Sequence, residues 1–116
     1  MSNPIDQLTA PHYTWGNACD SWVLSDTETL SVKQEQMPPD TKEKLHVHAQ
    51  AQQFFFILNG TAIFYLENKT VTLNAAQGLL IPAGKKHYIA NETGETINFL
   101  VISQPSTNND RVTLED

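Results

Sequence analysis

Long apolar runs are missing from this chain. The longest, such as Phe54 to Leu58, are five residues long, far short of the roughly 20 that a membrane-spanning helix needs. No apolar stretch marks a secretory leader near Met1, and Cys19 is the only cysteine, so no internal disulfide can form. Both absences point to a cytoplasmic address. Basic residues are also scarce, seven Lys and Arg against thirteen Asp and Glu, for a formal net charge of −6. Nucleic acid is therefore not an expected partner, because its phosphates call for clustered Lys and Arg. Lys42, Lys44, Lys85 and Lys86 form the only basic cluster, and no helix-turn-helix segment is appended.

Hydrophobic residues make up 40% of the 116, enough for one core, and the length fits one domain. From Thr29 onward, short runs of Val, Ile, Phe, Tyr and Thr alternate with Gly, Pro, Asn and Asp, which predicts an all-β sandwich or barrel. Expected strands cover Thr29 to Gln36, Lys44 to Ala49, Gln53 to Leu58, Thr61 to Glu67, Thr70 to Asn74, Gly78 to Ile81, His87 to Asn91 and Thr96 to Ser103. Asn59-Gly60 predicts a hairpin turn, Glu67-Asn68-Lys69 a second, and Pro38-Pro39-Asp40 a break after the first long strand. The organisation is thus an N-terminal extension over 1–28, packing on the barrel or on a partner subunit, a barrel over 29–103, and a C-terminal tail over 104–116.

His46 and His48 are one residue apart, so on a strand both imidazoles leave the same face, about 6 to 7 Å apart at Cα. Two nitrogens placed this way converge on one ion. The pair is followed by four residues, Gln53, six residues and Gly60; further on comes Pro82-Ala83-Gly84-Lys85-Lys86-His87, ending at Asn91.

These two motifs resemble those of the cupin superfamily. There the first motif is His-x-His, three or four residues, a carboxylate, six residues and Gly, and the second is Gly-x5-Pro-x-Gly-x2-His-x3-Asn. The likeness covers roughly Leu30 to Ser103 and implies a double-stranded β-helix, or jelly-roll, barrel with one divalent transition metal ion on His46, His48, Gln53 and His87. Two departures stand out. The glycine opening the second motif falls at Ala76, with Gly78 two places late. The usual glutamate ligand is a glutamine, Gln53 by spacing to Gly60 or Gln52 by strand parity with His48; spacing favours Gln53, because a turn over Ala49 to Gln52 resets parity.

Three imidazoles and an amide leave the +2 of the ion uncompensated, which makes a stronger Lewis acid, and a glutamine cannot serve as a base. Nitrogen-rich ligation suits Ni, Fe, Zn, Mn or Co without choosing among them. Related small cupins that process unsaturated sugar acids are similar in using three His and a Gln. The resemblance therefore implies an enzyme acting on a small oxygen-rich molecule held in the barrel, by isomerase, tautomerase or dioxygenase chemistry. The alternative it leaves is a non-catalytic module that binds or senses a small molecule.

Other residues carry blander expectations. Glu35 and Asp40 are the nearest acids for proton transfer, although alternation with Leu30 and Val32 turns Glu35 away from their side, and neither is assigned a role. Lys85 and Lys86 read as a solvated turn, or as a contact for an anionic substrate. His12 is expected in solvent and Cys19 as a small buried hydrophobe. Tyr13, Trp15 and Trp22 precede the barrel and are expected to cover its end or to pack in a homodimer, as cupins resemble one another in dimerising through N-terminal strands.

Overall fold

Ile97 to Gln104 alternates buried with half-buried residues, Ile97, Phe99, Val101 and Ser103 turning one way and Asn98, Leu100 and Ile102 the other. That period of two makes it a strand with one face in a core, and the same rule builds the rest of the chain. The computed structural model describes residues 3–115; Met1, Ser2 and Asp116, at the ends of the two expected extensions, lie outside the described residues.

Twelve strands and no helix occur among the described residues: β1 (His12–Trp15), β2 (Cys19–Asp26), β3 (Ser31–Met37), β4 (Thr41–Lys42), β5 (His46–Val47), β6 (Gln52–Asn59), β7 (Ala62–Leu66), β8 (Lys69–Leu73), β9 (Gly78–Ile81), β10 (His87–Asn91), β11 (Ile97–Gln104) and β12 (Val112–Thr113). All pairing is antiparallel. One sheet runs β1-β2-β3-β11-β6-β9 and the other β12-β5-β10-β7-β8, with β4 also on β10. The segment 1–28 thus supplies two strands to the first sheet, and the segment 104–116 supplies β12, which pairs with β5.

Between the sheets lies one apolar cluster that includes Met37, Phe55, Ile57, Phe64, Ile89, Ile97 and Phe99, each at most 2% exposed. Phe55 packs edge-on against Phe64 at 4.8 Å between centroids. Burying each such ring contributes roughly 1.5 to 3 kcal/mol. Phe54 and Leu58, on the opposite face of β6, remain 38% and 42% exposed. Cys19 is fully buried in the same cluster.

Several expected boundaries move. The strand expected over Lys44 to Ala49 shrinks to His46–Val47, because the backbone bends at Ala49 and Gln50. The turn at Asn59-Gly60 is present but makes no hairpin: β6 and β7 belong to opposite sheets, and the turn is a corner between them. Gly60 has φ +91°, and a Cβ there would lie 2.5 Å from Ile97 Cγ2, so glycine is required by both conformation and space. At the second motif the missing glycine leaves its mark. Ala76 takes φ +66°, the left-handed conformation a glycine would adopt without strain.

Candidate metal centre and cavity

The bend between β5 and β6 is shaped from a distance. The carboxylate of Asp110 accepts N–H bonds from Ala49, Gln50 and Ala51 at 2.9 to 3.1 Å, which turns the chain and resets side-chain parity. As a result Gln53 faces inward at 8% exposure while Gln52 lies on the surface, bonded to Gln104. The two glutamines left open by the sequence are thereby separated.

His46 and His87 are direct partners across β5 and β10. With His48 they bring one ring nitrogen each within 4.8 Å of one another, and all three are at most 4% exposed. No other group of three His, Cys, Asp or Glu residues meets this condition among the described residues. The fourth residue sits beside them, Gln53 Oε1 lying 3.1 Å from His87 Nε2.

Hydrogen bonding fixes the direction of each ring. Nδ1 of His46, His48 and His87 faces the backbone carbonyl of Lys44 at 2.7 Å, Asp110 at 2.5 Å and Lys85 at 2.9 Å respectively. A carbonyl only accepts, so Nδ1 carries the proton in each ring and Nε2 presents a lone pair. Burial disfavours the imidazolium: it brings His46 down to about 3 and His87 to about 4, and lowers His48 as well. The rings are neutral at pH 7, as a metal ligand must be.

This donor set fits a divalent ion. With Nδ1 protonated, the Nε2 lone pair of His87 points at the Gln53 oxygen, while the Gln53 amide nitrogen donates to Ser103 Oγ at 3.2 Å. Two facing acceptors repel unless a cation binds both or the amide turns over. His46, His48, His87 and Gln53 are the residues that would hold the ion, each imidazole backed by a carbonyl in the manner of metal-binding histidines.

Above the histidines opens a cavity of about 480 Å³ whose wall includes Tyr13, Lys33, Glu35, Glu43, Phe55 and Arg111. Glu35 is 7% exposed and accepts a hydrogen bond from Ser21 Oγ. Burial raises its pKa, against the lowering effect of Ser21, Lys33 and Arg111. The Glu43 side chain is 10% exposed, accepts from the Ile89 N–H at 3.1 Å and lies 3.9 Å from Arg111. Burial carries Glu43 up to about 7.

The remaining candidates fall elsewhere. Asp40 is on the surface at the break after β3. Lys85 lines a separate groove, and Lys86 is exposed with its N–H bonded to Glu67, whereas Lys42 and Lys44 border the histidine cavity. His12 is bonded to Asp20 at 2.8 Å on the surface. Lys33, Glu43, Asp110 and Arg111 were not singled out by sequence. Lys33 and Glu35 share the parity of the buried Ser31 and Met37, which is a readable signal. Asp110 and Arg111 follow a turn in a segment without periodicity and carry none.

Residues 33–103 match the family model described as the cupin domain, and the chain belongs to the cupin family. An uncharacterized protein of Aquifex aeolicus is 32% identical over 84 residues, which is 72% of this chain and 69% of that protein. Among solved structures, a sugar phosphate isomerase of the cupin superfamily from Silicibacter pomeroyi superposes with a TM-score of 0.78 at 16% identity, covering 90% of this chain and 76% of that one. The polyketide cyclase RemF from Streptomyces resistomycificus gives 0.78 at 16% identity, covering 91% and 81%. At such identities the likeness shows the fold.

Proposed function

We propose that this cupin is a metal-dependent enzyme that isomerises or tautomerises a small oxygen-rich molecule held in the barrel cavity. The observation that carries the reading is the division of labour in the cavity: a neutral three-histidine and glutamine centre, and a separate buried carboxyl, Glu35, on the wall of the same space. When bound, a divalent ion there supplies a Lewis acid that polarises a carbonyl or hydroxyl oxygen. Gln53 binds oxygen-side first but moves no proton, so the base has to be another residue. Glu35 fills that role: burial makes its carboxylate a stronger base than an exposed one. In a hydroxyketone it takes a proton from the hydroxyl-bearing carbon and returns it to the former carbonyl carbon while the hydroxyl proton passes to the former carbonyl oxygen, so no oxidant or reductant is consumed. Phe55, between the histidines and the apolar core, closes the floor of the cavity to water.

Relatives described as a sugar phosphate isomerase and a polyketide cyclase share the fold, and both names fit rearrangement better than oxygen-dependent cleavage. The test is hydrogen exchange in deuterium oxide. Protein loaded in turn with Zn, Ni, Fe, Mn and Co is incubated with hydroxyketones and β-diketones and followed by NMR. Deuterium entering beside the carbonyl, lost in Glu35→Gln at unchanged metal content, is expected. Oxygen uptake without exchange would replace the reading with the dioxygenase one.

The proposal includes a homodimer. The outer face of the first sheet carries Phe54, Leu58 and Leu80 at 38%, 42% and 51% exposure, with half-buried Phe56, Leu100 and Ile102 between them. An uncharged patch of this kind can meet its own copy across a two-fold axis.

A further inference from the structure

The overall charge of the chain is −6, yet the wall of the histidine cavity is cationic. Lys33 reaches it from β3 and Arg111 from the segment before β12, while Lys42 and Lys44 border the same cavity. Lys33 and Arg111 both line the one cavity whose wall also includes His46, His48 and Glu35. The acids in the same wall already have partners, Glu43 lying 3.9 Å from Arg111 and Glu35 accepting from Ser21 Oγ.

Lys33 lacks a carboxylate partner among the described residues, whose two ion pairs are His12 with Asp20 and Arg111 with Glu43. Its ammonium donates to one neutral acceptor, Tyr13 Oη at 2.9 Å, and lies 5.3 Å from the centre of that ring. The ammonium keeps two further donors free of protein acceptors at the mouth of the cavity, where an anion can take them. The Tyr13 hydroxyl accepts from Lys33 and so keeps its own proton to donate. Ammonium and phenol together offer a charge-assisted donor pair suited to two oxygens of one group.

We infer that Lys33 and Tyr13, with Arg111 across the cavity, form an oxyanion subsite, and that the molecule bound over the histidines carries a carboxylate or phosphate group. The subsite rests on the reading of this cavity as a substrate site, and it places the anionic end on the first sheet and the reacting end toward Gln53. The distal oxyanion then fixes which carbon faces Glu35.

Metal-free protein titrated with inorganic phosphate and with succinate, by calorimetry, tests this without the natural substrate. At least one of the two should bind, and Lys33→Met should weaken it tenfold or more. Lys33→Arg should restore most of the affinity, and Tyr13→Phe should cost several-fold. Lys69→Met, on the exposed end of β8, should change nothing. Phosphate bound better than succinate marks a phosphate-bearing ligand, and the reverse a carboxylate.

Anion binding that is equal in wild type and Lys33→Met, or that occurs only after zinc is added, would overturn the subsite. A zinc titration of the same samples keeps the two ideas apart. Lys33-dependent anion binding without zinc binding would sink the metal centre and leave the subsite standing; zinc binding with Lys33-independent anion binding would do the opposite.

Discussion

The two ends of the barrel are built on opposite principles. One is a packed apolar plug of Met37, Ile57, Phe64, Ile89, Ile97 and Phe99. The other buries His46, His48, Gln53, His87, Glu35 and Glu43, all polar. Phe55 is the border, its ring 4.8 Å from Phe64, 5.9 Å from Phe99 and 6.5 Å from His87. Desolvated polar groups cost free energy even when hydrogen-bonded, so the apolar end has to carry the stability that lets the polar end remain poised. The difference teaches where folding and chemistry reside, and it can be tested from each side.

The largest effect is expected at the apolar end. Phe64→Ala removes a fully buried ring and should lower stability by about 3 to 5 kcal/mol, measured by urea unfolding of metal-free protein.

At the polar end, Glu43→Gln keeps the acceptor for the Ile89 N–H and removes the ionisable group. Its folded pKa of about 7 lies above the ordinary 4.5, so the unfolded chain releases its proton first. This group then takes stability from wild type as pH rises from 4.5 through 7, and the variant lacks that contribution. Relative to wild type, Glu43→Gln should gain roughly 2 to 4 kcal/mol between pH 4.5 and 8. The histidines act in the other direction: with pKa values below the usual 6.5, their contribution is present above 6.5 and is lost as pH falls through about 4 to 3. Urea midpoints of both metal-free proteins across pH 4 to 8 check the difference curve, in which the histidine terms cancel. A flat difference would mean that Glu43 is not desolvated.

A smaller effect tests the corner beside the plug, where the Ala76 N–H bonds the Ile57 carbonyl. Ala76→Gly relieves the left-handed alanine at φ +66°. It should stabilise by about 0.5 to 1 kcal/mol, the relief of strain being partly offset by greater freedom in the unfolded chain. No gain in thermal midpoint would mean that the site tolerates alanine without strain.

Most of the barrel was legible because its strands obey a period of two and its turns carry Gly, Asn and Pro. The two histidine motifs singled out His46, His48 and His87, which the fold brings together. What sequence could not supply depended on long-range pairing. Asn59-Gly60 looks the same whether it closes a hairpin or turns a corner between sheets. Glu35 was visible, but its inward direction depends on Leu30 and Val32 facing out, which the pairing of β3 with β2 and β11 decides. Asp110 shapes the bend that orients Gln53 and accepts from His48 across 62 residues of chain. No local pattern encodes such a contact.

The central claim, that His46, His48, His87 and Gln53 hold one divalent ion, is most directly tested by titrating metal-free protein with Zn and Ni while following heat. The account predicts one ion per chain. It also predicts binding at least 100-fold weaker in His87→Ala with the fold retained by circular dichroism, and tighter binding in Gln53→Glu, where a carboxylate compensates part of the charge. Gln52→Glu should match wild type. No binding heat in wild type, or equal affinity in His87→Ala, would contradict it.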